Sequence, residues 1–163
     1  MGKVTIGIDN GVTGSVGIIT DSNNAFFKTP VRQGTHYTKT KTTINLLDWD
    51  VLKSQIMSVT LLTNNVHAYL ERPFVNPKFF NTSNLAVAVY LMTRQALEMW
   101  GIGHTTIDSK DWQKHILPGF KGTANLKKGS RIKGGELYPH HKQMIVKQKD
   151  ADGLLIAHYF HNK

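Results

Sequence analysis

The chain has 163 residues and no cysteine, which excludes disulfides and thiolate metal sites and leaves oxygen and imidazole as the only ligands for a metal. A cysteine-free composition also fits a reducing compartment. No apolar run approaches the roughly 20 residues that span a bilayer, and Met1-Gly2-Lys3 leads straight into a strand-like segment without a signal-peptide pattern. The expectation is a soluble, cytoplasmic protein with no membrane partner. The sequence also lacks internal repeats, low-complexity tracts and any linker long enough to divide it. With 40% apolar residues it has enough material for one core, and a single domain over residues 1–163 is expected.

Acidic residues are scarce as well. Eleven Asp and Glu face twenty Lys and Arg, giving a net charge of +9. The excess is uneven: ten of the twenty cations lie between Lys110 and Lys149, where the only acids are Asp111 and Glu136. A block of this kind favours a polyanion, because each phosphate neutralised releases condensed counterions. Charge alone is equally compatible with a basic, solvated surface.

The pattern along the chain is α/β. Lys3 to Asp9 and Ser15 to Thr20 read as strands joined by the turn Asn10-Gly11-Val12-Thr13-Gly14. Ala25 to Thr29 and Thr42 to Leu46 read as further strands, with Gly34 to Thr40 as a polar loop or hairpin tip between them. Asp48 or Asp50 caps a helix running to about Leu62, and His67 to Glu71 forms the next strand. Leu85 to Trp100 follows the cap signal Asn81-Thr82-Ser83 and stops at Gly101; its length favours a helix over a strand. It carries more apolar surface than one buried side needs, so it is either deeply buried or shared with a second subunit. His104 to Ile107 reads as the last strand, and Asp111 to Leu117, Ser130 to Tyr138 and Asp150 to His161 as helices.

The chemistry-bearing residues stand where these elements end. Asp9 closes the apolar strand Val4-Thr5-Ile6-Gly7-Ile8 just before a glycine turn, and Glu71 closes Ala68-Tyr69-Leu70 just before Arg72-Pro73. A carboxylate at the edge of a buried strand needs donors, a cation or a metal. Asp150 and Asp152 stand where the last helix begins. If the two strands are neighbours and that helix crosses their ends, the four acids form an oxygen-rich cage for Mg²⁺ or Mn²⁺. Singly, each has a plain structural account as a turn cap, an ion-pair partner or a helix cap. Trp112 and Phe120 are interleaved with Lys110, Lys114, Lys121, Lys127 and Lys128, and Arg131 follows; this set suits a grip on DNA, although Trp112 fits core packing as well. His158 and His161 have an i, i+3 spacing open to zinc, but no third ligand is evident.

Taken in order, Gly7-Ile8-Asp9-Asn10-Gly11 with Gly14-Ser15, Leu70-Glu71-Arg72-Pro73, Ser109-Lys110-Asp111-Trp112-Gln113-Lys114, and Asp150-Ala151-Asp152-Gly153-Leu154-Leu155-Ile156-Ala157 resemble the motifs of RuvC-type Holliday junction resolvases, most closely phage-encoded members. The resemblance covers nearly the whole chain apart from Asp21 to Asn65. It implies an RNase H-like fold, a five-stranded mixed sheet with helices on both faces. It implies a metal-dependent endodeoxyribonuclease that resolves four-way junctions and related branched DNA, in a bacterial cell and possibly phage-encoded. It further implies two Mg²⁺ or Mn²⁺ ions per site held by Asp9, Glu71 and Asp152, a phosphate-neutralising Lys110, a base-stacking Phe74, and a homodimer through Leu85 to Trp100. Two departures stand out. Asn10 replaces the usual proline, and Lys149 occupies the place of the fourth acidic or histidine ligand. Asp150 takes over that role only if it lies at or before the N-cap, because positions 150 and 152 do not share a face inside a helix.

Three other readings remain open on the sequence. One is an RNase H-like nuclease acting on an RNA–DNA hybrid. Another is a non-catalytic junction-binding module. The third is a phosphate-binding hairpin like that of actin-like ATPases, which would need a second domain that this chain is too short to hold.

Overall fold

The computed structural model describes residues 2–35, 43–60 and 63–163. In chain order the elements are β1 (Val4–Asp9), β2 (Ser15–Thr20), β3 (Asn24–Lys28), β4 (Val31–Thr35), β5 (Thr43–Leu47), α1 (Trp49–Thr60), β6 (Val66–Glu71), α2 (Phe80–Met99), β7 (Gly103–Ile107), α3 (Ser109–Ile116), α4 (Thr123–Leu137), α5 (Lys142–Gln148) and α6 (Asp152–His161). Short 3₁₀ turns at Pro77–Phe79 and Pro139–His141 lead into α2 and α5.

Five strands form one sheet in the order β3-β2-β1-β6-β7. β1 runs antiparallel to β2 and parallel to β6, while β3 is antiparallel to β2 and β7 parallel to β6. This is the α/β arrangement expected from the sequence, a five-stranded mixed sheet with helices on both faces. The period-2 alternation of the strands sorts the two faces. Val4, Ile6, Ile8, Val16, Ile18, Ala68 and Leu70 point to one side, where they pack with Leu52 and Ile56 of α1 and Leu97 of α2. On the other side Trp112 of α3, Ile145 of α5 and Leu154 to Ala157 of α6 form a second core.

α6 lies unusually close to the sheet. A Cβ on Gly7 would stand 2.3 Å from the Ala157 nitrogen and the Gly153 oxygen, and one on Gly17 would stand 2.3 Å from the Leu154 Cα. Gly153 meets the Ser15 backbone in the same way, at 2.4 Å. Three glycines therefore let backbone pack on backbone, and they fix the height at which α6 starts.

Several elements differ from the sequence reading. The expected strand near Thr42 exists as β5, but it pairs with β4, which the sequence did not reveal, in a separate two-stranded ribbon. Parts of the expected loop Gly34 to Thr40, together with Thr42 and the helix end at Leu62, lie outside the described residues. α2 begins five residues early, at Phe80. Ser83 does not cap it; its hydroxyl accepts from the Asn76 amide and donates to the Asn76 carbonyl, both at 3.0 Å. α4 begins at Thr123 rather than Ser130, because glycines inside it masked a helical pattern. α5 was not anticipated, and α6 begins at Asp152 rather than Asp150.

Candidate metal centre

Asp9 and Glu71 are the last residues of β1 and β6, adjacent parallel strands paired through Ile8 and Leu70. Alternation puts both side chains on the α6 face, in line with Gly7 and Tyr69. The first residue of α6, Asp152, arrives over the same strand ends, and a helix N-terminus favours a carboxylate there. Asp150 stands outside the helix, one residue before the N-cap Ala151. α5 ends at Lys149 in a left-handed conformation (φ 76°), and the reversal turns Asp150 inward. One carboxylate oxygen from each of Asp9, Asp150 and Asp152 lies within 4.8 Å of the others. The same-face problem posed by the spacing of 150 and 152 is thus solved by keeping Asp150 out of the helix.

Neighbouring side chains hold the acids in place. The Ser130 hydroxyl donates to Asp152 Oδ1 and accepts the Ala151 amide at 2.9 Å. Ser15 Oγ accepts the Gly153 amide at 3.1 Å. The indole Nε1 of Trp112 donates to Glu71 Oε2 at 3.1 Å. Gln148 Nε2 donates to the Thr13 and Gly14 carbonyls at 2.7 and 2.9 Å, tying the end of α5 to the β1–β2 turn. Asn10, the departure from proline, donates from Nδ2 to the Ala86 carbonyl at 3.0 Å and joins that turn to α2.

The electrostatics are those of a centre short of positive charge. Burial, then the charges of Asp152, Glu71 and Asp150, hold the Asp9 carboxyl well above the usual carboxylate range. Glu71 is pushed up to about 7 by burial and Asp152, despite the Trp112 hydrogen bond. Burial and Asp150 raise Asp152 to about 6, and burial raises Asp150. Lys127 opposes these shifts at Asp9, Asp150 and Asp152. Asp150 Oδ1 is buried without a hydrogen-bond partner. An all-oxygen donor set with mutual repulsion and an unpartnered buried oxygen fits a hard divalent cation.

The remaining sequence candidates lie around this centre. Lys110 is exposed in the first turn of α3, and Phe74 is 85% exposed just beyond Glu71. Lys114, Lys121, Lys127, Lys128 and Arg131 are all exposed on α3, α4 and the segment between them. Trp112 is completely buried, so it serves Glu71 and the core rather than a DNA surface. His158 and His161 do not converge: His158 Nδ1 meets the Tyr138 hydroxyl at 2.8 Å and His161 Nδ1 meets Thr5 Oγ1 at 3.1 Å. The parts played by Ser130, Gln148 and the glycines under α6 escaped the sequence reading, although Gly7 and Gly153 stand in its motifs.

No helix among the described residues is long and apolar enough to cross a membrane. No family model matches the chain, and no curated protein matches it. Among solved structures, Thermus thermophilus RuvC in complex with a Holliday junction substrate is similar at 12% identity and a TM-score of 0.48, over 95% of this chain and 90% of that one. A second Thermus thermophilus RuvC structure is similar at 14% identity and a TM-score of 0.44, over 94% and 90% of the two chains. The fowlpox virus resolvase in complex with Holliday junction DNA is similar at 14% identity and a TM-score of 0.41, over 98% and 97%.

Proposed function

We propose that this chain is a single-domain, divalent-metal-dependent endonuclease that resolves four-way and related branched DNA, working as a two-fold dimer. The observation that carries this reading is the convergence of Asp9, Asp150 and Asp152 within 4.8 Å, with Glu71 beside them on the adjacent strand. Asp9, Glu71, Asp150 and Asp152 would hold Mg²⁺ or Mn²⁺, two ions being the number expected for phosphodiester hydrolysis. When bound, the metal supplies the Lewis acidity that activates water and offsets charge on the departing oxygen. Ser130 and Trp112 orient two of the carboxylates, as partners behind metal ligands do. Lys127, whose charge acts on three of the four acids, would neutralise a phosphate in the centre together with Lys110 of α3.

DNA as the polymer rests on the exposed block Lys114, Lys121, Lys127, Lys128 and Arg131. Branched DNA rests on the ordered motif set, and the exposed Phe74 beside Glu71 suits stacking on an unpaired base. The deciding experiment incubates the purified chain with a labelled four-way junction, the matching linear duplex and an RNA–DNA hybrid, in Mg²⁺ or Mn²⁺. Paired nicks confined to the junction, lost in Asp9→Asn and Glu71→Gln without loss of binding, are expected. Cleavage of the hybrid alone would move the activity to a different substrate, and binding without cleavage would make the chain a junction-binding module.

A further inference from the structure

Beside the metal centre, between the end of β3, α1 and the end of α5, lies a cleft of about 810 Å³ that opens next to Asp150 and Lys127. Its size is within the range of about 300–1,000 Å³ typical of small-molecule pockets. Its lining has three kinds of surface. Phe27 and the exposed Met144 are apolar, Thr29 and Gln55 are polar, and Lys28 and Lys147 carry charge. Thr29 is only 4% exposed, and its Oγ1, like the Oε1 of Gln55, is buried without a hydrogen-bond partner. Four buried side-chain atoms are unpartnered among the described residues; three, counting Asp150 Oδ1, belong to residues of this one cleft. Asp150 is accounted for by the metal centre. Thr29 and Gln55 are not, and folded proteins seldom leave such groups unsatisfied without a use.

A groove that only followed a sugar–phosphate backbone would need little beyond lysines. An aromatic and a thioether next to hydroxyl and amide oxygens, with lysines at the edge, match the parts of a nucleotide instead: a base face, a base edge and a phosphate. Resting on the nuclease reading above, we propose that the cleft receives one unstacked nucleotide adjacent to the cut phosphate and reads its base. The base lies against Phe27 and Met144, a turn of the Gln55 side chain brings its Oε1 to the N–H edge of the base above Thr29, and Lys28 and Lys147 hold the flanking phosphate.

The test is an abasic scan. Each nucleotide flanking the branch of a four-way junction is replaced singly, and the full chain is assayed for binding in Ca²⁺ and for cutting in Mg²⁺. One position is expected to lose about tenfold or more. That loss should shrink to a small residue in Gln55→Leu and in Met144→Ala, the second being a surface change that spares the fold; melting curves confirm both variants are folded. A flat scan with cleavage intact overturns the cleft and leaves the nuclease reading standing, as does a sensitive position that both variants leave untouched. If the junction is bound but not cut, the binding scan decides alone; if it is not bound, cleft and nuclease reading fall together.

Discussion

Glu71 reports the charge state of the whole centre. Its carboxyl ordinarily titrates near 4.5 and is raised to about 7 by burial and by Asp152. Between those values the folded chain binds a proton that the unfolded chain has released, so without metal this group lowers stability as pH rises from about 4.5 to about 7. The total is on the order of 3 kcal/mol. Glu71→Gln should therefore match the wild type near pH 4.5 and melt higher above pH 7 in EDTA, with the advantage shrinking when Mg²⁺ is added. Parallel melting curves across the whole range would show that Glu71 is not in a charge-crowded site. Asp150→Asn gives a second expectation: because Asp150 faces Asp9 and Asp152, its loss should cut Mg²⁺-dependent cleavage about a hundredfold. Ser130→Ala should weaken metal affinity about tenfold through Asp152. Full activity in Asp150→Asn would reduce that residue to a turn-former. The four acids were readable in the sequence because each ends or precedes an element. Ser130 and Trp112 were not, since their partners lie 22 and 41 residues away and no local pattern marks such a pair.

Among the elements, α6 decides the site, because Asp152 is its first residue and its distance from β1 is set by glycines rather than side chains. A methyl group at Gly7 would meet backbone atoms at 2.3 Å, and neither β1 nor α6 has a flexible side chain there to move aside. Gly7→Ala should thus destabilise the chain by about 3 kcal/mol, as overpacking at a rigid contact does. If the protein still folds, α6 must have lifted, and metal-dependent cleavage should fall with it. A denaturant titration and a cleavage assay on the same preparation check both; unchanged stability would mean that α6 does not seat on β1 this closely. Strand alternation and the terminal acids make β1, β2 and β6 legible from the amino-acid sequence alone. The ribbon β4–β5 was hidden because Val31-Arg32-Gln33-Gly34-Thr35 has no apolar face to announce a strand. α4 was hidden because Gly129, Gly134 and Gly135 argue against helix locally. Two of them are explained by tertiary packing: a Cβ on Gly129 would strike the Phe120 ring at 2.7 Å, and one on Gly134 would strike the Ala151 Cβ at 2.4 Å.

On the scale of the whole molecule, the open question of α2 takes a definite shape. Only Ser83, Val89, Thr93, Ala96 and Leu97 of its residues are buried. Phe80, Ala88, Leu91 and Met99 are exposed and recur along one side with Asn84 and Gln95, at the spacing of a helix that meets another. Leu91 is 53% and Met99 68% exposed, more than a solvated helix gains from such side chains. The Asn10 bond to the Ala86 carbonyl links this helix to the turn that carries Asp9. A two-fold pair through α2 would couple two centres, which paired nicking requires. Leu91→Lys with Met99→Lys should leave the melting temperature of the subunit nearly unchanged, since both residues are exposed, while sedimentation shifts from dimer to monomer. On a supercoiled plasmid with an extruded cruciform, the wild type should give linear product and the double variant mostly open circles from unpaired nicks. Linear product from a proven monomer would mean that one centre cuts both strands in turn and that the exposed stripe on α2 has another purpose.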